Sequence, residues 1–283
     1  MTREPEWLAC PWQDLVGRSV VPFTVLPDRD ALAQHMARAM ADELIANNAA
    51  GAPTRWIMPV GPVSQYPYLV EMVNAEKISL AGLHTFQMDE YLDWTSRLLP
   101  DDHPLSFAGS LDEKFFSLID AELAQPVEQR HRPDPTNLDS LAEAIDAVGG
   151  VDTCWGGIGV HGHIAFNEPP STYFRSISVE EFAQAPTRIV ALQPDTLVVN
   201  SISAAGGNYE ALPQMAITIG MKEILAAGRI RLTAHRNLWQ RAIWRRAVMQ
   251  EPTVMYPVTL IQRMADAEIF VDEGTAAPAA LGA

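Results

Sequence analysis

VDTCWGGIGVHGHIAFNEPP, residues 151–170, is a strand running into a turn that carries chemistry. Val151 to Trp155 reads as the end of a buried strand, and Gly156 to Pro170 places His161, His163 and Glu168 among glycines. Glycine lets the backbone turn where a side chain would clash. Imidazole and carboxylate together move protons near neutral pH. Open α/β sheets keep their active sites where a strand ends in such a turn.

On either side of this segment, strand-like and helix-like segments alternate. Ser19 to Val25 reads as a strand. From Asp28 to Ala46 the residues Leu32, Met36, Met40 and Leu44 mark one face of a helix. Thr54 to Val60 is a short apolar run before a Gly-Pro turn, and Gln65 to Asn74 is helical beyond Pro67. His84 to Met88 is a strand ending in Asp89, Glu90 and Tyr91. Ser110 to Leu123 reads as a helix with a capping box, Ser110 and Glu113. Leu138, Leu141, Ile145 and Val148 mark another helix. Thr187 to Leu192, Met215 to Ile219, Ile230 to Thr233 and Glu268 to Val271 are further strands, with helices after Ile219 and Thr233. The order predicts a doubly wound α/β fold: one domain over residues 1–283, with a mainly parallel sheet and helices on both faces. Residues 1–17 and 274–283 are expected to be loosely held ends.

Composition narrows the function classes. The chain has 283 residues, 48% hydrophobic and 19% charged, an ordinary globular mixture long enough to bury a large core. A formal net charge of -15 argues against nucleic acid and anionic membranes as partners. Two cysteines, Cys10 and Cys154, make no disulfide framework and fit a reducing compartment. No signal peptide and no membrane-spanning run are read. The expectation is a cytoplasmic protein that takes a small molecule.

Four groups of residues are candidates for chemistry. Asp89 and Glu90 follow an apolar strand, where a carboxylate could shuttle a proton between adjacent carbons; the plainer reading is a solvated loop or a helix cap. His161 and His163 could hold a metal with Glu168 as a third ligand. No helical i, i+4 spacing supports that and no cysteine joins in, so an acid–base histidine oriented by Glu168 is the stronger reading. Gly61, Pro62, Val63, Ser64 and Gln65 lie between a strand and a helix, where N–H groups can cradle a phosphate, although Pro62 has no N–H. Arg236, Arg241, Arg245 and Arg246 cluster near Trp239 and Trp244. One of these arginines could clamp an anion, but an ion-paired helix face with core tryptophans explains the cluster better.

GIGVHGHIAFNEP resembles the signature of glucosamine-6-phosphate deaminases. TFQMDEY and HPLSF (His103 to Phe107) resemble two more of its blocks, with shorter echoes in AITIG (Ala216 to Gly220) and VDE (Val271 to Glu273). The order matches over roughly residues 20 to 273, within a superfamily shared with 6-phosphogluconolactonases. The resemblance implies an enzyme that opens an amino-sugar phosphate ring, isomerises aldose to ketose and releases ammonia with no metal or organic cofactor. It implies that Asp89 transfers the proton between C1 and C2, that His163 assists ring opening and that Glu168 polarises His163. Family members range from monomers to hexamers, so the resemblance leaves a homo-oligomer open.

The departures fall on particular positions. His161 stands where the family has an aspartate. Gly61-Pro62-Val63 replaces a Gly-Gly-Thr type phosphate loop. Ile202 follows Asn200 and Ser201, where the family places a phosphate-holding arginine, and the family's phosphate lysine falls near Trp239 or Gln240. The expectation is a sugar isomerase or deaminase acting on an altered substrate. Its catalytic residues would be Asp89, His163, Glu168 and His161, with Gly61, Val63, Ser64, Glu90 and Arg236 binding the substrate. The alternatives are a sugar lactone hydrolase and a sugar-binding protein without turnover.

Overall fold

The computed structural model describes residues 5–170, 176–235 and 237–279. Its strands are β1 Phe23–Leu26, β2 Thr54–Met58, β3 Leu83–Gln87, β4 Asp89–Leu92, β5 Arg130–His131, β6 Thr153–Gly157, β7 Arg188–Ala191, β8 Met215–Thr218, β9 Arg229–Ala234 and β10 Ala267–Asp272. Seven form a sheet in the order β1-β10-β9-β6-β2-β3-β5, with every pair parallel.

Helices cover both faces, as the alternation of strands and helices predicts. Neighbouring strand residues enter different cores, because side chains along a strand alternate in direction. Trp56 and Met58 pack against the helices Arg29–Ala50 and Tyr66–Glu76, while Ile57 between them packs on the opposite side. Cys154 and Trp155 divide in the same way, as do Ile269 and Phe270. The helix Arg29–Ala50 starts where the Asp28 side chain accepts the Ala31 N–H at 2.8 Å. It stops at Gly51, whose φ of 65° is left-handed.

Several local expectations need correction. β7 and β8 do not join the main sheet; they pair antiparallel with each other and with β4 in a second, three-stranded sheet, β4-β8-β7. The helix expected from Ser110 to Leu123 is Phe107–Lys114, capped by Ser106, whose hydroxyl accepts the Gly109 N–H at 3.1 Å. Ser110 lies inside it, so the capping-box spacing was fortuitous. The helix Pro194–Ala204 was not read at all.

The ends expected to be loosely held are packed over their described parts. Leu8, Leu15, Thr275 and Ala276 are buried. The fully buried Arg245 ties both ends down, donating to Trp7 O at 2.8 Å and Ala276 O at 2.7 Å. A guanidinium has more donors than one carbonyl can use, so it bridges segments that local sequence cannot relate.

Candidate active site

The sheet's strand order reverses between β2 and β6. From β2 the chain winds outward through β3 to β5, and from β6 it winds the other way through β9 to β10. Ligands of open α/β sheets bind outside the strand C-termini at such a switch point. A cavity of about 470 Å³ lies there, walled by Pro59 to Pro62 after β2, Gly157 to Val160 after β6, and Thr233 and His235 at the end of β9.

Asp89 reaches this cavity through the second sheet. It pairs with Thr218 across β4 and β8, and the Thr218 hydroxyl accepts the Phe166 N–H at 3.0 Å. The second sheet thereby joins Asp89 to the 151–170 segment, and Asp89 and His163 line one cavity. Burial, followed by the Glu90 charge beside it, pushes the Asp89 carboxyl up to about 8.

The imidazole of His163 is seated on backbone. A Cβ added at Gly159 would fall 1.8 Å from His163 Nε2, so only glycine fits. Gly159 N donates to His163 O and Gly162 N to Gly159 O, both at 2.9 Å, and Gly162 has a φ of 73°. Ala165 also has a positive φ, 52°, a strained conformation for a residue with a side chain. Burial, then the neighbouring His161, holds the His163 pKa down at about 3, so its ring is neutral at physiological pH.

Glu168 sits behind His163. Its Oε2 accepts the Gln193 N–H at 2.8 Å, and burial raises its pKa. Asn167 is structural: its amide donates to Ile164 O at 3.0 Å and Ile219 O at 2.8 Å, and its oxygen accepts from Arg188. His161 turns from the cavity towards Asp195, with Nε2 and Oδ2 3.0 Å apart.

The expected substrate-binding residues are only partly brought together. Gly61 lines the cavity; Val63 and Ser64 do not, because the loop turns into the helix Tyr66–Glu76 and Val63 packs on the core. Glu90 is also absent from the wall. Its carboxylate accepts the Phe107 N–H at 2.9 Å and the Ala108 N–H at 2.8 Å, closing the N-terminus of the helix Phe107–Lys114. Arg236 lies outside the described residues. Arg241 donates to Gly274 O and Arg246 to Gln250 Oε1, and neither lines the cavity. Sequence reading missed Thr196, Asn200 and Ser203 as polar wall residues. Their spacing on the helix Pro194–Ala204 was the available signal. It also missed His235, just past the end of β9.

No protein-family profile matches the chain. The glucosamine-6-phosphate deaminase of Phocaeicola vulgatus is 30% identical to it over 255 residues, 87% of this chain and 89% of that one. The chain belongs to the glucosamine-6-phosphate deaminase family. The glucosamine-6-phosphate deaminase of Caenorhabditis elegans is 32% identical over 211 residues, 72% of each chain. Among solved structures, a monomeric glucosamine-6-phosphate deaminase superposes with a TM-score of 0.75 at 22% identity, covering 90% of this chain and 98% of that one. The 6-phosphogluconolactonase of Thermotoga maritima superposes with a TM-score of 0.61 at 13% identity, covering 89% and 98%. These two likenesses establish a shared fold.

Several positions at which this chain departs from the family's pattern line the cavity, whereas His161 does not. Ile202, Trp239 and Gln240 line the cavity at or near the positions where the resemblance places phosphate ligands. Among the described lining residues there is no lysine or arginine. No helix of the described residues is long and apolar enough to cross a membrane.

Proposed function

We propose that this chain is an aldose–ketose isomerase and deaminase acting on an amino sugar that carries no phosphate. The observation behind this reading is that Asp89 and His163 line one cavity whose described walls hold no cationic side chain. A buried phosphate needs positive charge or several donors; apolar Ile202 and Trp239 offer a hydroxymethyl group a better fit. Thr196, Asn200 and Ser203 supply uncharged polar groups of the kind that orient sugar hydroxyls.

The chemistry follows from the two ionisations. His163, held neutral, accepts the anomeric hydroxyl proton and delivers it to the ring oxygen as the bond from C1 to that oxygen breaks. Asp89 must first lose its own proton, which its raised pKa makes easiest above neutrality. The carboxylate then takes the proton from C2 and returns it to C1, turning aldose into ketose. For an amino sugar the nitrogen at C2 becomes an imine, and water releases it as ammonia.

The test is product analysis with glucosamine and its 6-phosphate, alongside a lactone-opening assay. Ketose and ammonia from the free sugar support the proposal. Lactone opening without ketose formation replaces it with a hydrolase, and tight sugar binding without turnover replaces it with a binding protein.

A further inference from the structure

A second cavity, of about 350 Å³, lies over the edge of the main sheet, between β3 and β5 on one side and the helix Phe107–Lys114 on the other. It shares no lining residue with the cavity that holds Asp89 and His163. We propose that it binds a small organic carboxylate, whose oxygens are received by Arg130.

Strand geometry brings the polar wall together. Thr85 pairs with Arg130 across β3 and β5, so their side chains share one face of the sheet, and Gln87 follows Thr85 by two residues. His131 turns to the opposite face, where its ring stacks on Phe86 at 4.9 Å. Arg132, just beyond β5, lines the cavity with Arg130.

Arg130 is fixed in place but not saturated. Its guanidinium lies 4.2 Å from the centroid of the Phe116 ring, and Nη2 donates to Gln125 O at 3.2 Å. Nη1 is 3.6 Å from Asp112 Oδ1, beyond hydrogen-bond distance. Nε is buried and has no hydrogen-bond partner. Buried donors are normally satisfied, so a held guanidinium with an unfilled Nε–H lacks an acceptor. Burial, offset in part by Asp112, holds the Arg130 pKa below its ordinary value, as fits a cation short of counter-charge. A planar guanidinium fork matches the two oxygens of a carboxylate.

The rest of the wall selects the kind of anion. Arg132 is already paired with Asp101 at 2.7 Å, and Asp112 stands beside Arg130. The wall thus carries two charges of each sign, and a dianion would meet more repulsion from the aspartates than a monoanion does. Met58, Leu111 and Phe116 offer apolar surface to the body of the ligand. A monocarboxylate with a short apolar chain satisfies Arg130 and covers that surface, and the volume is that of an ordinary small-molecule site.

The test titrates the full chain at low ionic strength with butyrate and, separately, with inorganic phosphate, read by ligand-observed NMR. Saturable butyrate binding is expected with a Kd of about 1 mM or tighter, and phosphate should bind more weakly. Arg130→Lys keeps the charge but loses the fork, and should weaken butyrate binding at least about 10-fold. Circular dichroism confirms that this variant is folded. Asp112→Asn, at a solvent-exposed position, removes a like charge and should tighten binding, an effect that damage to the fold does not produce. His163→Ala, in the other cavity, should leave butyrate binding unchanged. No sugar enters the experiment, so its outcome is independent of the reaction proposed above. Absence of saturable butyrate binding, tighter binding of phosphate, binding unaltered by both Arg130→Lys and Asp112→Asn, or binding lost in His163→Ala overturns the proposal.

Discussion

Asp89 and Glu90 are adjacent on β4 yet serve different ends: Glu90 accepts the Phe107 and Ala108 N–H groups at 2.9 and 2.8 Å, and Asp89 lines the cavity. Alternation along the strand sends the two carboxylates to opposite faces. Glu90 holds the helix Phe107–Lys114, and its charge helps to keep Asp89 protonated.

The first consequence concerns rate against pH. If Asp89 is the base, kcat/KM rises with pH through an apparent pKa of about 8, that of the free protein. Asp89→Asn should lower kcat/KM by about 10²- to 10⁴-fold and abolish that limb. A pH profile flat from 6 to 9 in the unaltered chain would remove Asp89 from the role.

Stability against pH tests the same group without substrate. The Asp89 pKa is raised from 3.8 to about 8 on folding, so the folded state holds a proton that the unfolded chain releases. Its contribution to stability is therefore lost as pH rises from about 4 to about 8. His163, lowered from 6.5 to about 3, works in the opposite sense, and its contribution is lost as pH falls below 6.5. Between about 6.5 and 8 the Asp89 effect is not opposed by His163. Denaturant midpoints over that range should fall less steeply in Asp89→Asn than in the unaltered chain.

Glu90→Gln separates scaffold from base. It removes an acceptor from a helix N-terminus and should cost about 1–3 kcal/mol, read as a lower Tm. It also removes the like charge beside Asp89, so the alkaline limb of the rate profile should move to lower pH. An unchanged Tm would mean that the one remaining amide oxygen satisfies the helix end as well as the carboxylate does.

Glycine substitutions probe the seat of His163. At Gly159 a Cβ would overlap the imidazole, so Gly159→Ala should displace the ring, cost about 1–3 kcal/mol and lower activity. At Gly61 an added Cβ meets nothing within 4 Å, so Gly61→Ala should leave Tm nearly unchanged. Equal Tm losses at both positions would contradict the packing described.

Much of this was legible in the chain because it is local. The strand-and-turn segment at 151–170, the helix face from Leu32 to Leu44 and the carboxylates after β3 were all readable from spacing and end signals. What was not legible is set by contacts far apart in sequence. Glu90 reads as a site residue until the Phe107 and Ala108 N–H groups, 17 and 18 residues on, are seen to occupy it. The arginines near Trp244 read as an anion clamp or a solvated face, and only folding shows Arg245 holding Trp7 O and Ala276 O. Asp195 carried no motif, and its pairing with His161 depends on a helix that the sequence reading passed over.

The kinetic comparison of glucosamine with glucosamine-6-phosphate tests the central claim most directly. With Ile202 and Trp239 on the wall and no described cation there, kcat/KM should be higher for the free sugar. A preference of about 100-fold or more for the phosphorylated sugar, equivalent to about 2.7 kcal/mol, would contradict the account.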